Sequence, residues 1–191
     1  MKLYQLRDQR VNPKQALICI GVLITVMAHG QSSFPETWEG YWTGALEIVG
    51  PRGIQRRVPM QMQIEKADSA GQWIWITTYG AADTPSVRKD YLLIEEDPVL
   101  GRYRIDEQNS IVMPAFLFGG NTLVCWFEVE GSLIQSIYER QPDGTMRFRI
   151  FAGDGRSPYT SGGDTLVSGE VIPKVMTYPV STIQQAVLQR E

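Results

Sequence analysis

Histidine and cysteine are almost missing from this chain. Its 191 residues hold one His, His29, and two Cys, Cys19 and Cys125. Beyond residue 30 there is no imidazole, which excludes Ser-His-Asp and Cys-His nucleophilic catalysis there and removes the usual zinc ligands. Cys125 alone cannot form an internal disulfide, so core burial must hold the fold together. A basic excess is also lacking, with 18 Lys and Arg against 21 Asp and Glu. Nucleic acid, whose phosphates demand a basic surface, is therefore not an expected partner.

What is present begins with a leader. Lys2, Arg7, Arg10 and Lys14 precede the apolar run Ala16–Met27, and Ala28-His29-Gly30 follows with small residues at two positions. That order predicts a signal peptide over residues 1–30, cleaved at Gly30-Gln31. The apolar run is shorter than the ~20 residues that span a bilayer, so no stable membrane anchor is expected after cleavage. Cys19 does not read as a lipidation site, because the bulky Ile18 precedes it and most of the apolar run follows it. The leader carries four of the 18 basic and one of the 21 acidic residues, which leaves 14 basic against 20 acidic, a net charge near −6. The expected location is secreted or periplasmic, with residues 31–191 as one domain.

Residues 31–37 (QSSFPET) read as a short polar lead-in to that domain. Turn signals then recur at short spacing: Gly50-Pro51-Arg52-Gly53, Asp68-Ser69-Ala70-Gly71, residues 81–85 (AADTP), Gly119-Gly120-Asn121, Gln141-Pro142-Asp143-Gly144, and a Gly-rich stretch from Gly153 to Gly163. Between them, apolar residues alternate with period two. Val58, Met60, Met62 and Ile64 alternate with Arg57, Gln61, Gln63 and Glu65, and Met146, Phe148 and Ile150 alternate with Arg147 and Arg149. Such strands bury one face and wet the other. Pro59 cannot donate to a ladder, so it predicts an edge or a bulge. Thr182–Arg190 reads as a closing strand, although Ser181-x-x-Gln184 is also a helix-capping pattern. The pattern predicts an all-β domain: a single antiparallel up-and-down β-barrel of about 8–10 strands.

Gly40-Tyr41-Trp42 at the first strand resembles the Gly-x-Trp signature of lipocalins and the wider calycin group. The resemblance implies that Trp42 plugs one end of the barrel and that an Arg from the last strand, with Arg190 as candidate, packs across it. The chain departs from that group in having no second lipocalin motif and no disulfide. Independently of family, Gly40, Trp42 and Gly44 share one strand face, where glycines let the strand bend and other side chains close over the indole. These three are structural candidates.

Ligand-binding candidates come from the apolar face. Met60, Met62, Trp73, Trp75, Phe127 and Phe148 are the expected lining of a barrel interior, since Met adapts to varied shapes and Trp supplies area. Tyr138 and Arg140 stand two residues apart on one face and form a candidate clamp for a carboxylate. Intracellular lipid-binding barrels use a chemically similar Arg and Tyr pair. The leading expectation is therefore an interior site for a small, largely apolar molecule, a lipid or similar amphiphile, with no cofactor and no metal.

Three other readings stay open. If Trp73, Trp75 and Tyr79 face outward, they form a platform that stacks on sugar rings. Glu95-Glu96-Asp97 and Asp106-Glu107 offer carboxylates for a small barrel isomerase or cyclase, against the plainer reading of a solvated charge cluster. A filled barrel without a void would be a protein-interaction module. Cys125, on a face with Leu123 and Phe127, reads as an inert core thiol.

Overall fold

The computed structural model describes residues 33–80, 87–163 and 166–191. The leader, its cleavage point and the turn at residues 81–85 lie outside the described residues. One compact unit runs over Ser33–Glu191. Its barrel strands are β1 (Gly40–Gly50), β2 (Gly53–Lys66), β3 (Gln72–Tyr79), β4 (Val87–Asp97), β5 (Arg102–Asp106), β6 (Val112–Phe118), β7 (Thr122–Val129), β8 (Ser132–Arg140) and β9 (Met146–Asp154). After β9 the chain makes an excursion. There β10 (Tyr159–Ser161) pairs with β13 (Val175–Thr177), and β11 (Leu166–Val167) pairs with β12 (Glu170–Val171). The last strand, β14 (Val180–Arg190), lies between β9 and β1 and closes a ten-strand antiparallel barrel. The closing-strand reading of the C-terminus holds, and neighbours in the barrel are neighbours in sequence except at the excursion (β9–β14) and at the closing pair (β14–β1).

Local chemistry fixes the register. Two residues, Glu130 and Gly131, join β7 to β8, and both have positive φ (50° and 79°). That is the primed hairpin turn whose twist matches the flanking strands. Pro59 sits opposite Ala45 in the β1–β2 ladder, while β2 meets β3 only from Met60 onward. Its carbonyl accepts from Gly80 N–H at 2.9 Å. Pro59 thus stands at the end of a ladder within a closed barrel, where a missing donor interrupts nothing, rather than at a sheet edge or a bulge.

The polar lead-in requires correction. Phe34 and Trp38 are buried, at 4% and 1% exposure. Trp38 lies in a short 3₁₀ turn, Glu36–Trp38. Phe34 packs edge-on against Trp38 (centroids 4.7 Å apart) and against Tyr103 (4.9 Å). These rings plug the barrel end formed by the start of β1, β3 and β5, with Trp42, Met62, Ile64, Trp73 and Leu188 packed behind them. A run of Gln, Ser and Thr around two apolar rings hides the plug, because only the rings enter the barrel.

Trp42 is fully buried, and its indole N–H donates to the Trp38 carbonyl at 2.9 Å. Trp42 pairs with Arg190 across the β1–β14 seam, and the Arg190 guanidinium lies 5.9 Å from the ring centroid. A second cation lies closer: the Arg140 guanidinium, 4.7 Å from the same ring. Gly40 explains the room for Arg190, since a Cβ there would come within 2.7 Å of its Nε. Gly44 serves a different purpose. A Cβ at that position would stand 2.5 Å from the Val187 carbonyl oxygen.

Candidate functional site

The inner face of the barrel divides into a filled half and a hollow half. Trp75 and Tyr138 form the floor between them, ring to ring in T-shaped contact at 5.1 Å. Below the floor, Trp38 meets Trp75 at 6.0 Å, and Phe148 meets Tyr138 at 4.9 Å. Above it lies a cavity of about 80 Å³. That is room for several waters or a small organic molecule.

Strand alternation builds the lining. Aromatic faces come from Trp75, Tyr79, Tyr91, Phe127 and Tyr138, and aliphatic surface from Leu93, Ile105, Met113, Ile134 and Ile150. The polar contributions are Glu107, Ser136 and the Cys125 thiol. Burial pushes the Tyr79 phenol up to about 12 and the Cys125 thiol up to about 11. The Tyr138 phenol is raised well above its ordinary value by burial, with Tyr79, Tyr91 and Cys125 adding to the shift. Tyr91 is raised by burial first, then by the Glu107 charge, the Tyr79 phenol and its own hydrogen bond to Glu107. At neutral pH these groups are uncharged donors and acceptors, and Glu107 is the sole carboxylate of the lining among the described residues. The Thr77 hydroxyl, on the inner face between Trp75 and Tyr79, is buried and has no hydrogen-bond partner among the described residues.

The residues anticipated from sequence fall in three places. Trp75, Phe127 and Tyr138 reach the cavity. Met60, Met62, Trp73 and Phe148 are buried in the filled core and do not border it. Arg140 belongs to the plugged end. It stacks on Trp42 and donates from Nη1 to the Thr145 carbonyl at 3.0 Å. Desolvation first, then the neighbouring Arg190, lowers its pKa, against a smaller opposing effect of Asp143. Tyr138 and Arg140 share a strand face, yet one opens to the cavity and the other caps the far end, so the carboxylate clamp is not assembled. The sugar platform is not formed either, because Trp73 and Trp75 are 2% and 3% exposed and face inward with Tyr79.

The carboxylate clusters separate in the same way. Asp97 accepts from Leu100 N–H, and Asp106 from Gln108 N–H, as turn-closing groups. Glu96 pairs with Arg104 at 2.9 Å on the surface. Glu95 lies toward the plug, where burial and then Glu36 raise its pKa against Lys66. Of these five acids, Glu107 alone borders the cavity. Its Oε2 accepts from Asn109 Nδ2 at 3.2 Å, and its backbone N–H donates to Ile111 O at 3.0 Å. Asp154 in the Gly-rich stretch accepts from Arg156 N–H at 2.8 Å, and Asp164 lies outside the described residues. Among the described residues no cluster of three or more His, Cys, Asp or Glu could hold a metal ion.

Tyr91, Glu107, Met113, Ile134 and Ile150 were not singled out by sequence as lining. In β4 the signal was masked, because Leu92 and Ile94 make the outer face apolar as well.

The architecture is that of a calycin-like barrel. No family model matches the chain, and no curated protein matches it. Among the solved structures that share the fold at low identity are two of particular note. One is a protein of unknown function from the DUF3598 family of Nostoc punctiforme, 10% identical, with a TM-score of 0.54 over 82% of this chain. This chain spans 48% of that protein's length. The other is the S-type phycobiliprotein lyase of Guillardia theta, 9% identical, with a TM-score of 0.55 over 85% of this chain and 94% of the lyase. At such identity the likeness is one of fold.

Proposed function

We propose that this is an exported barrel that binds a small, largely apolar molecule in the hollow half of its interior, without a cofactor. The observation that carries the reading is the asymmetry of the core. One end is plugged by Phe34, Trp38 and Trp42, while the other keeps a void walled by five aromatic residues. A core selected for stability alone would be packed without such a space. A phycobiliprotein lyase with the same fold lends support by analogy only.

Ser136 tests the site. It is 8% exposed, faces the void and stands opposite Ile150 and Cys125 in the ladders. The apolar dye 1-aminoanthracene should bind the parent and gain fluorescence. Ser136→Phe fills the space and should weaken that binding by about tenfold or more, a loss of ~1.4 kcal/mol. Trp126→Ala, at a Trp on the outer wall that is 69% exposed, should leave it unchanged. Equal binding by Ser136→Phe and parent would move the dye, and the proposed site, out of the barrel.

Export rests on the basic, apolar and small-residue order of residues 2–30. The intact mass of the protein recovered outside the cytosol should correspond to a chain beginning at Gln31. A mass that retains residues 1–30 would replace a cleaved leader by a tether.

A further inference from the structure

The charge of the cavity goes further than its shape. Among the described residues, its lining contains one carboxylate, Glu107, and no Lys or Arg. Around that carboxylate stand the phenols of Tyr79, Tyr91 and Tyr138 and the apolar rings of Trp75 and Phe127. Aromatic faces attract cations through their quadrupole, and the half-buried Glu107 carboxylate does so through its charge. The same wall disfavours an acid, because its described residues hold no cation to offset a second negative charge beside Glu107. Glu107 is also held in place, by Asn109 Nδ2 at 3.2 Å. We infer that the cavity selects a small organic amine, its protonated nitrogen at Glu107 and its apolar body against Trp75 and Phe127. This rests on the binding role proposed above and names the chemical class of its ligand.

Positive charges do stand nearby, outside the lining. Lys89 is exposed on the inward face of β4, two residues before Tyr91. Arg56 and Arg57 border a separate hollow that meets the cavity at Tyr79. Arg57 is paired with Glu47 at 2.9 Å. Exposed at the rim, these cations are screened by water, whereas Glu107 acts across a partly desolvated space.

Three matched probes separate the possibilities: 2-phenylethylamine, 2-phenylethanol and phenylacetate, titrated calorimetrically at pH 7 into the mature protein. The amine should bind at least about tenfold tighter than the alcohol, as a charge-assisted hydrogen bond requires, and phenylacetate weakest of all. Glu107→Gln keeps the size of the side chain and should bring the amine down to the alcohol. Glu107→Gln should also keep the parent's affinity for 2-phenylethanol, which guards against a loss through misfolding. Equal affinity for amine and alcohol in the parent, an amine preference that survives in Glu107→Gln, or tightest binding of phenylacetate would each overturn the assignment while leaving an interior site in place. No binding of any probe, together with no dye uptake, would overturn the binding role itself.

Discussion

Trp42→Ala should destabilise the barrel by about 3–5 kcal/mol, the usual cost of truncating a buried Trp, as read from the midpoint of urea unfolding at constant slope. Three losses coincide in this one substitution. The indole is fully buried among the plug residues, and its removal leaves a void that Phe34, Trp38 and Met62 cannot all close. The Trp38 carbonyl loses its donor. Arg140 and Arg190 lose the ring that lies between them and the core, so two guanidinium groups are left to find water at a barrel end. Trp42→Phe separates these terms, since it retains a ring face for the cations but not the N–H, and should recover part of the loss. Dye binding in the hollow half should survive in any folded Trp42 variant, because the Trp75–Tyr138 floor lies between the two regions. A Trp42→Ala protein as stable as the parent would mean that the ring is not the plug.

The plug and the cavity differ in how far sequence exposes them, and the difference is physical. Gly40-Tyr41-Trp42 carries its signal locally, because a Trp between glycines on one strand face has few other uses, and Arg190 follows once the last strand is taken to close on the first. Arg140 reaches Trp42 only through closure. The end of β8 and the start of β1 are almost 100 positions apart and become neighbours through the barrel's circumference. Tyr138 and Arg140 look like one clamp at a spacing of two. The floor passes between them, and alternation cannot tell the top of a strand face from its bottom. Met60, Met62 and Phe148 show the same limit. They point inward as their period requires, but whether an inward residue meets a ligand or a packed neighbour depends on which end is plugged. That was decided by Phe34 and Trp38 in a stretch whose composition is polar. Glu107 was legible as an acid beside a turn. Its aim into the void comes from the β5–β6 connection, where Asn109 and Ile111 hold it.

Closure itself is tested at Gly44. This residue lies opposite Leu188 where β14 meets β1. An added Cβ would stand 2.5 Å from the Val187 carbonyl oxygen and 2.9 Å from Leu188 Cδ2. A side-chain methyl can rotate away, but the carbonyl belongs to the strand, so relief requires β14 to move off β1. Two effects then oppose each other. Replacing a strand glycine gains about 0.5–1 kcal/mol of backbone entropy. Overpacking a site that cannot relax costs about 1–3 kcal/mol or more, and the branched side chain of Val adds to it. The clash prevails because its partner is backbone on a seam that no hairpin ties together. Gly44→Val should therefore lower stability by about 2 kcal/mol and speed amide exchange along β14 before it affects the β2–β8 meander. Thr43→Val, one position away on the outward face opposite Gln189, should stay within about 0.5 kcal/mol of the parent. If the two valine variants unfold alike, β14 does not approach β1 this closely, and the meander is an open sheet with two free edges rather than a barrel.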